Sequence, residues 1–231
     1  MSNRFPTDTN ETRMIRGVAL DMDGLLFDTE SLYWQCGDEL LKRRGHRFCK
    51  SLQQRMMGRV GVSAIQQMID FHQLDDQAEE LIQESNEVFA GLLERGAQEM
   101  PGLSNFIEFL KVNAIPFGLA TSSQRRFVDI LFRDRAWRED LEFILTGDDV
   151  TRGKPDPQIY QMAADRLNLP PHQMLVLEDS GNGCAAGVAS GACTVAVPSE
   201  HTQDQDFTGA TLVADTLEDP RLWNLLVANE G

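Results

Sequence analysis

The sequence predicts an α/β protein: a Rossmann-like, three-layer core with a parallel sheet, interrupted by an inserted α-helical segment. Two observations lead there. Short apolar runs recur at Val18–Leu20, Phe117–Ala120, Phe143–Leu145, Met174–Leu177 and Thr194–Val197. From the second run onward each is separated from the next by a helix-length segment, the alternation that βαβ units produce. Between the first and second runs, by contrast, the chain shows helical periodicity over Leu32–Arg44, Val62–Phe71 and Ala78–Glu94 and offers no strand. The economical division is a core of residues 1–29 and 99–231, with 1–14 as a tail, and an inserted helical cap of residues 30–98.

Each element has a local cause. The first strand, Val18-Ala19-Leu20, runs into Asp21-Met22-Asp23-Gly24; aspartates are poor strand residues and Gly24 favours a turn, so the strand stops there. Asp28 and Thr29 precede Leu32-Tyr33-Trp34 as a helix-start signal. Met100-Pro101-Gly102 marks the return to the core. Helical patterns then follow the strands from Gln124, over Gln158–Leu167 and over Gly181–Ser190, the last closed by Gly191. Met56 and Met57 read as core filler, and His46, His72, His172 and His201 fit no motif and are expected on surfaces.

Composition narrows the function. At 231 residues and 42% hydrophobic content the chain can bury a real core without staples. A formal net charge of −15 disfavours a nucleic-acid groove or an anionic membrane as partner, since both reward clustered Lys and Arg. Cys36, Cys49, Cys184 and Cys193 form no C-x-x-C pair and read as free thiols of a reducing compartment. Residues 1–14 are polar, unlike a signal peptide, and no run approaches the ~18 apolar residues of a membrane span, so the expected location is the cytoplasm.

Four clusters carry the chemistry. Asp21 and Asp23 stand two apart at a strand end, the edge where open α/β sheets bind ligands. Thr121-Ser122-Ser123 delivers hydroxyls just before a helix start, a setting for anions. Lys154 sits in Gly153-Lys154-Pro155-Asp156-Pro157, where a point cation can neutralise phosphate or carboxylate. Glu178 and Asp179 end a buried strand and offer hard oxygen ligands suited to Mg²⁺. Phosphoryl transfer uses all of these: a phosphate monoester dianion repels a carboxylate nucleophile, so attack by Asp21 calls for a divalent cation and a lysine, with Asp23 handling the proton of the leaving alkoxide.

The ordered set resembles the haloacid dehalogenase superfamily, in its β-phosphoglucomutase-like branch with a helical cap after the first motif. Several strings, among them Met57-Gly58-Arg59, Ile115-Pro116-Phe117 and Gly147-Asp148-Asp149, look like the pseudouridine 5′-phosphatase type. The resemblance implies Asp21 as nucleophile, Asp23 as general acid/base whose carbonyl also faces the metal, and Thr121 and Lys154 as the catalytic hydroxyl and lysine. It implies a Mg²⁺ held by Asp21, Asp23, Glu178 and Asp179, and substrate contacts from Gly24, Ser122, Ser123, Arg59 and Arg125. The expected activity is hydrolysis of a small phosphorylated metabolite, a sugar or nucleoside phosphate, through an aspartyl phosphate, by a monomer. A phosphomutase and a catalytically silent phosphate binder are the alternatives. The mutase pattern departs at Gly61, where its cap arginine is expected, and at Tyr33, where its cap histidine is expected. A dehalogenase has no use for the second aspartate, Asp23.

Overall fold

In a computed structural model, which describes residues 15–56, 59 and 61–227, six parallel strands form one sheet in the order β3-β2-β1-β4-β5-β6. They are β1 (Gly17–Leu20), β2 (Phe117–Ala120), β3 (Ile144–Leu145), β4 (Met174–Glu178), β5 (Cys193–Ala196) and β6 (Leu212–Val213). β1, β2 and β4 are buried along their whole length. That is why these segments read as unbroken apolar runs rather than alternating ones: a parallel sheet is covered on both faces. The helices among the described residues are α1 (Glu30–Lys42), α2 (Lys50–Met56), α3 (Val62–His72), α4 (Ala78–Glu94), α5 (Leu103–Val112), α6 (Arg125–Leu131), α7 (Gln158–Leu167), α8 (Gly181–Ser190) and α9 (Pro220–Val227).

The chain divides into two compact units. Among the described residues, one comprises 15–26 together with Glu99–Arg125 and 135–227, and holds the whole sheet. There α7 packs on β1 and β2, and α8 on β4 and β5. α7 turns Ile159, Tyr160, Ala163 and Ala164 inward, the repeat of one helix face, against Ala19, Ala120, Met174 and Val176 of the sheet. The other unit comprises Phe27–Gln98 and Arg126–Asp134. α1 and α4 are its main pair. α4 buries Leu81, Val88, Phe89, Leu92 and Leu93, and α1 buries Leu32, Cys36, Leu40 and Leu41. Asp28 starts α1 as expected: its carboxylate accepts the Ser31 N–H at 3.1 Å and the Ser31 hydroxyl at 2.6 Å.

The strand β6 and the helices α2, α5 and α9 are additions to the sequence reading. β6 is two residues long and α2 seven, too short for periodicity to mark. The histidines need a correction. His172 and His201 are exposed, but His46 and His72 are half-buried, with ring centroids 4.6 Å apart, in a contact between residues distant in sequence. Met56 is half-buried, whereas Met57, Gly58 and the 1–14 tail lie outside the described residues. No disulfide links the four cysteines. Among the described residues no helix is long and apolar enough to cross a membrane.

Candidate active site

With all strands parallel, the carboxyl ends of β2, β1 and β4 share one sheet edge. The order 3-2-1-4-5-6 reverses its direction of progression between β1 and β4, the crevice where such sheets bind ligands. The ladder itself sets the first functional side chains. The Asp21 N–H donates to the Leu177 carbonyl at 3.0 Å, and the Thr121 N–H to the Leu145 carbonyl at 3.0 Å. Each residue is thus the last rung after its strand, with its side chain held at the edge.

Lys154 reaches this edge from the loop before α7. The Gln158 side-chain carbonyl accepts the N–H groups of Thr151 at 3.1 Å and Arg152 at 2.9 Å, while Asp156 accepts the Gln158 N–H at 3.0 Å, so the loop is tied to the start of the helix. The lysine side chain is only 6% exposed. Its ammonium has three protons and meets three acceptors: Asp21 Oδ1 at 2.5 Å, Glu178 Oε1 at 2.6 Å and the Ala120 carbonyl at 2.9 Å. Burial opposes its charge, but Asp21 and Glu178 outweigh that and hold it charged, above the ordinary lysine range.

Glu178 is fully buried. Its Oε1 accepts from Lys154 and from the Tyr160 hydroxyl at 2.5 Å, and its Oε2 from the Ser180 hydroxyl at 3.2 Å. Ser180 also caps α8, accepting the Gly183 N–H at 3.1 Å. Asp179 follows, with Thr202 Oγ1 donating to its Oδ2 at 3.4 Å. Gly24 adopts φ +78°, and a Cβ there would stand 2.3 Å from Asp179 Oδ2; the loop after Asp23 passes this close only as glycine. Asp23 is held by the second cluster: its Oδ2 accepts Thr121 Oγ1 at 3.2 Å and Ser123 Oγ at 2.7 Å, and Thr121 Oγ1 in turn accepts the Ser123 N–H at 3.0 Å.

The donor chemistry fits a divalent cation. Asp21, Glu178 and Asp179 each offer a carboxylate oxygen, all within 4.8 Å of one another. Burial, then the Glu178 charge, push the Asp21 carboxyl up to about 8, with Lys154 pulling the other way. Asp23 Oδ1 is buried with no hydrogen-bond partner. Lys154 meets two of these acids, Asp21 and Glu178, and Asp179 adds a third carboxylate oxygen to the cluster; hard oxygen donors at this spacing suit Mg²⁺.

The remaining sequence candidates are placed differently. Ser122 is exposed at the end of β2. The Arg125 guanidinium bonds Asp149 at 2.8 Å and the Ile144 carbonyl at 2.9 Å, and its backbone N–H bonds Asp148 at 2.8 Å. Arg59 belongs to the helical unit, exposed, its Nε donating to the Arg55 carbonyl at 3.1 Å. Sequence reasoning missed Tyr160, Ser180 and Thr202, which hold the acidic pair. Tyr160 and Ser180 had only generic signals, an aromatic on an apolar helix face and a serine before a helix; Thr202 had none.

A parallel sheet presenting an aspartate pair, hydroxyls, a buried lysine and an acidic pair along one edge defines an α/β phosphoryl-transfer hydrolase. Residues 18–197 match the family model of the haloacid dehalogenase-like hydrolases; the chain belongs to that family and is a phosphoric monoester hydrolase within it. It is 34% identical over 185 residues to a phosphorylated carbohydrates phosphatase of Thermotoga maritima, covering 77% of this chain and 82% of that protein. It is 31% identical over 216 residues to the Drosophila melanogaster protein named "Probable pseudouridine-5'-phosphatase", covering 90% and 92%. Among solved structures, that of CbbY from Rhodobacter sphaeroides in complex with phosphate superposes with a TM-score of 0.77 at 27% identity, covering 88% of this chain and 95% of that one.

Proposed function

We propose that the protein is a Mg²⁺-dependent phosphatase of small phosphorylated metabolites that works through an aspartyl phosphate on Asp21. The observation that carries this is the Lys154 ammonium, 2.5 Å from Asp21 Oδ1 and 2.6 Å from Glu178 Oε1, deep in a site rich in carboxylates. Such a cation is what a carboxylate needs to attack a dianion. Asp21 attacks phosphorus, the Asp21 O–P bond forms as the P–O ester bond breaks, and Asp23 gives its proton to the leaving alkoxide. Asp23 then takes a proton from water, whose oxygen attacks phosphorus and frees inorganic phosphate, returning Asp21 as carboxylate. Asp21, Asp179, Glu178 and Asp23 are the residues to hold Mg²⁺, which when bound supplies the positive charge that offsets repulsion between nucleophile and substrate. Thr121 and Ser123 orient Asp23 through their hydroxyls, and Gly24 and Ser122 stand beside it as phosphate contacts.

We assign residues 30–98 as a cap whose side chains, Arg59 among them, govern substrate choice, and residues 1–29 and 99–231 as the catalytic core. The relatives named for phosphorylated carbohydrates and for pseudouridine 5′-phosphate support the substrate class, sugar and nucleoside phosphates. The test is phosphate release from a panel of sugar phosphates, nucleotides and pseudouridine 5′-phosphate, with and without Mg²⁺, alongside Asp21→Asn. Release that requires Mg²⁺ and disappears in Asp21→Asn is expected. Turnover by Asp21→Asn at the native rate would sink the nucleophile.

A further inference from the structure

Tyr160 is fully buried on α7, held there by neighbours Ile159, Ala163 and Ala164 packed against the sheet. An inward tyrosine is ordinarily core filler whose hydroxyl takes whatever partner is near. Here the partner is Glu178 Oε1, at 2.5 Å, the same oxygen that accepts Lys154 at 2.6 Å. The Tyr160 ring also stands 4.9 Å from the Lys154 ammonium, within the ~6 Å reach of a cation–π contact.

Two carboxylates compete for that ammonium at nearly equal distance, Asp21 at 2.5 Å and Glu178 at 2.6 Å. In a water-poor site the outcome depends on how much charge each oxygen presents. A phenol donating to Glu178 Oε1 weakens that oxygen as an acceptor, whereas among the described residues the side-chain donor to Asp21 Oδ1 is Lys154 itself, with no hydroxyl beside it. We propose that Tyr160 is a positioning residue that, by donating to Glu178, keeps the Lys154 ammonium directed at Asp21 for phosphoryl transfer. The proposal rests on the assignment of Asp21 as nucleophile made above.

The test is Tyr160→Phe, which keeps the ring and its packing and removes the hydroxyl. Phosphate release is measured in the native background and in Glu178→Gln, where the competing charge is gone. In the native background kcat falls about tenfold, the scale of one hydrogen bond to a charged group, while KM changes less than about twofold. In the Glu178→Gln background the same substitution leaves kcat within about twofold of Glu178→Gln alone, because Lys154 no longer has a rival carboxylate. A second readout needs no turnover: the thermal stabilisation given by beryllium trifluoride with Mg²⁺, a mimic of phosphorylated Asp21, is smaller in Tyr160→Phe than in the native protein. A native-like kcat in Tyr160→Phe, or an equal loss in both backgrounds, would overturn the proposal, the latter meaning that Tyr160 only supports the fold. A native protein that releases no phosphate from any monoester overturns the phosphatase reading and this proposal with it, whereas an active native protein indifferent to Tyr160→Phe overturns this proposal alone.

Discussion

Gly183→Ala sets two effects of opposite sign against each other. Gly183 lies in the first turn of α8, and on helix propensity alone alanine there should stabilise by about 1 kcal/mol. Yet a Cβ at this position would lie 1.9 Å from Cδ and Oε1 of Glu178 and 2.1 Å from Oε2. Ordinary contact begins near 3.4 Å, so the carboxylate has to retreat by roughly 1.5 Å. That motion takes Oε1 away from Lys154, now at 2.6 Å, and from Tyr160, at 2.5 Å, which are charge-assisted bonds worth about 1.5–3 kcal/mol each. Their loss exceeds the propensity gain, and the net expectation is destabilisation by about 3 kcal/mol. For a chain of this size that lowers the melting temperature by roughly 6–12 °C. Turnover drops with it, since Lys154 loses one of the two carboxylates that hold it beside Asp21. The assay is thermal and urea unfolding with phosphate release, on Gly183→Ala, Glu178→Ala and the double variant. With Glu178 truncated the clash vanishes, so Gly183→Ala should become neutral or stabilising in that background. A Gly183→Ala protein as stable and active as the native one refutes the reasoning.

Other consequences follow from the same geometry. Lys154→Met leaves Asp21 and Glu178 buried without their cation, which should cost about 3–5 kcal/mol in unfolding experiments and reduce turnover at least about 100-fold; a native-like melting curve would contradict the buried ion triad. Ser123→Ala removes the 2.7 Å bond to Asp23, so kcat should fall about tenfold for alkyl phosphates and far less for p-nitrophenyl phosphate, whose leaving group needs no proton; equal losses on both would dissociate Ser123 from acid catalysis. In the helical unit, Arg44 bonds Asp76 at 2.6 Å and Glu84 at 2.7 Å, and these bonds hold both carboxyls below their ordinary values. Groups depressed on folding contribute stability above their unfolded pKa, near 4, and lose it as pH falls through the folded value. Arg44→Met should therefore lower stability by on the order of 1 kcal/mol at pH 7 and narrow that gap as the pH drops below about 4. Melting temperatures of the two proteins that stay equally separated down to pH 3 would exclude the linkage.

How much of this was legible in the sequence depended on the kind of signal. Strands buried on both faces announced themselves as apolar runs, so Val18–Leu20 and Met174–Leu177 fell within one residue of β1 and β4. α4 and α7 matched their periodic segments because each buries one continuous face. β6 stayed hidden because Leu212-Val213 is held by pairing to Val195 and Ala196, a tertiary cause with no local pattern. Likewise His46 and His72 each look like isolated surface residues in sequence; their rings, one just after α1 and one at the end of α3, meet only through tertiary packing.

The site divides in the same way. The placement of Asp21, Thr121, Glu178 and Asp179 at the sheet edge could be read from sequence because each ends or follows a strand, and a strand end in a parallel sheet fixes both the edge and the neighbour. Lys154 could be read from its turn. What could not be read is how these groups are balanced, because that depends on which atoms share an acceptor. Glu178 is fully buried, and three side chains from three different segments, Lys154, Tyr160 and Ser180, divide its two oxygens among them. Gly183 belongs to that arrangement by having no side chain at all. The net charge of −15 gives a phosphate dianion no long-range attraction, so binding rests on short-range donors at this one edge. A site of that kind depends on where Glu178 stands more than on distant surface charge, which solvent screens. Neutralising exposed acids far from the edge should therefore leave kcat unchanged, whereas a single methyl group at Gly183 should not.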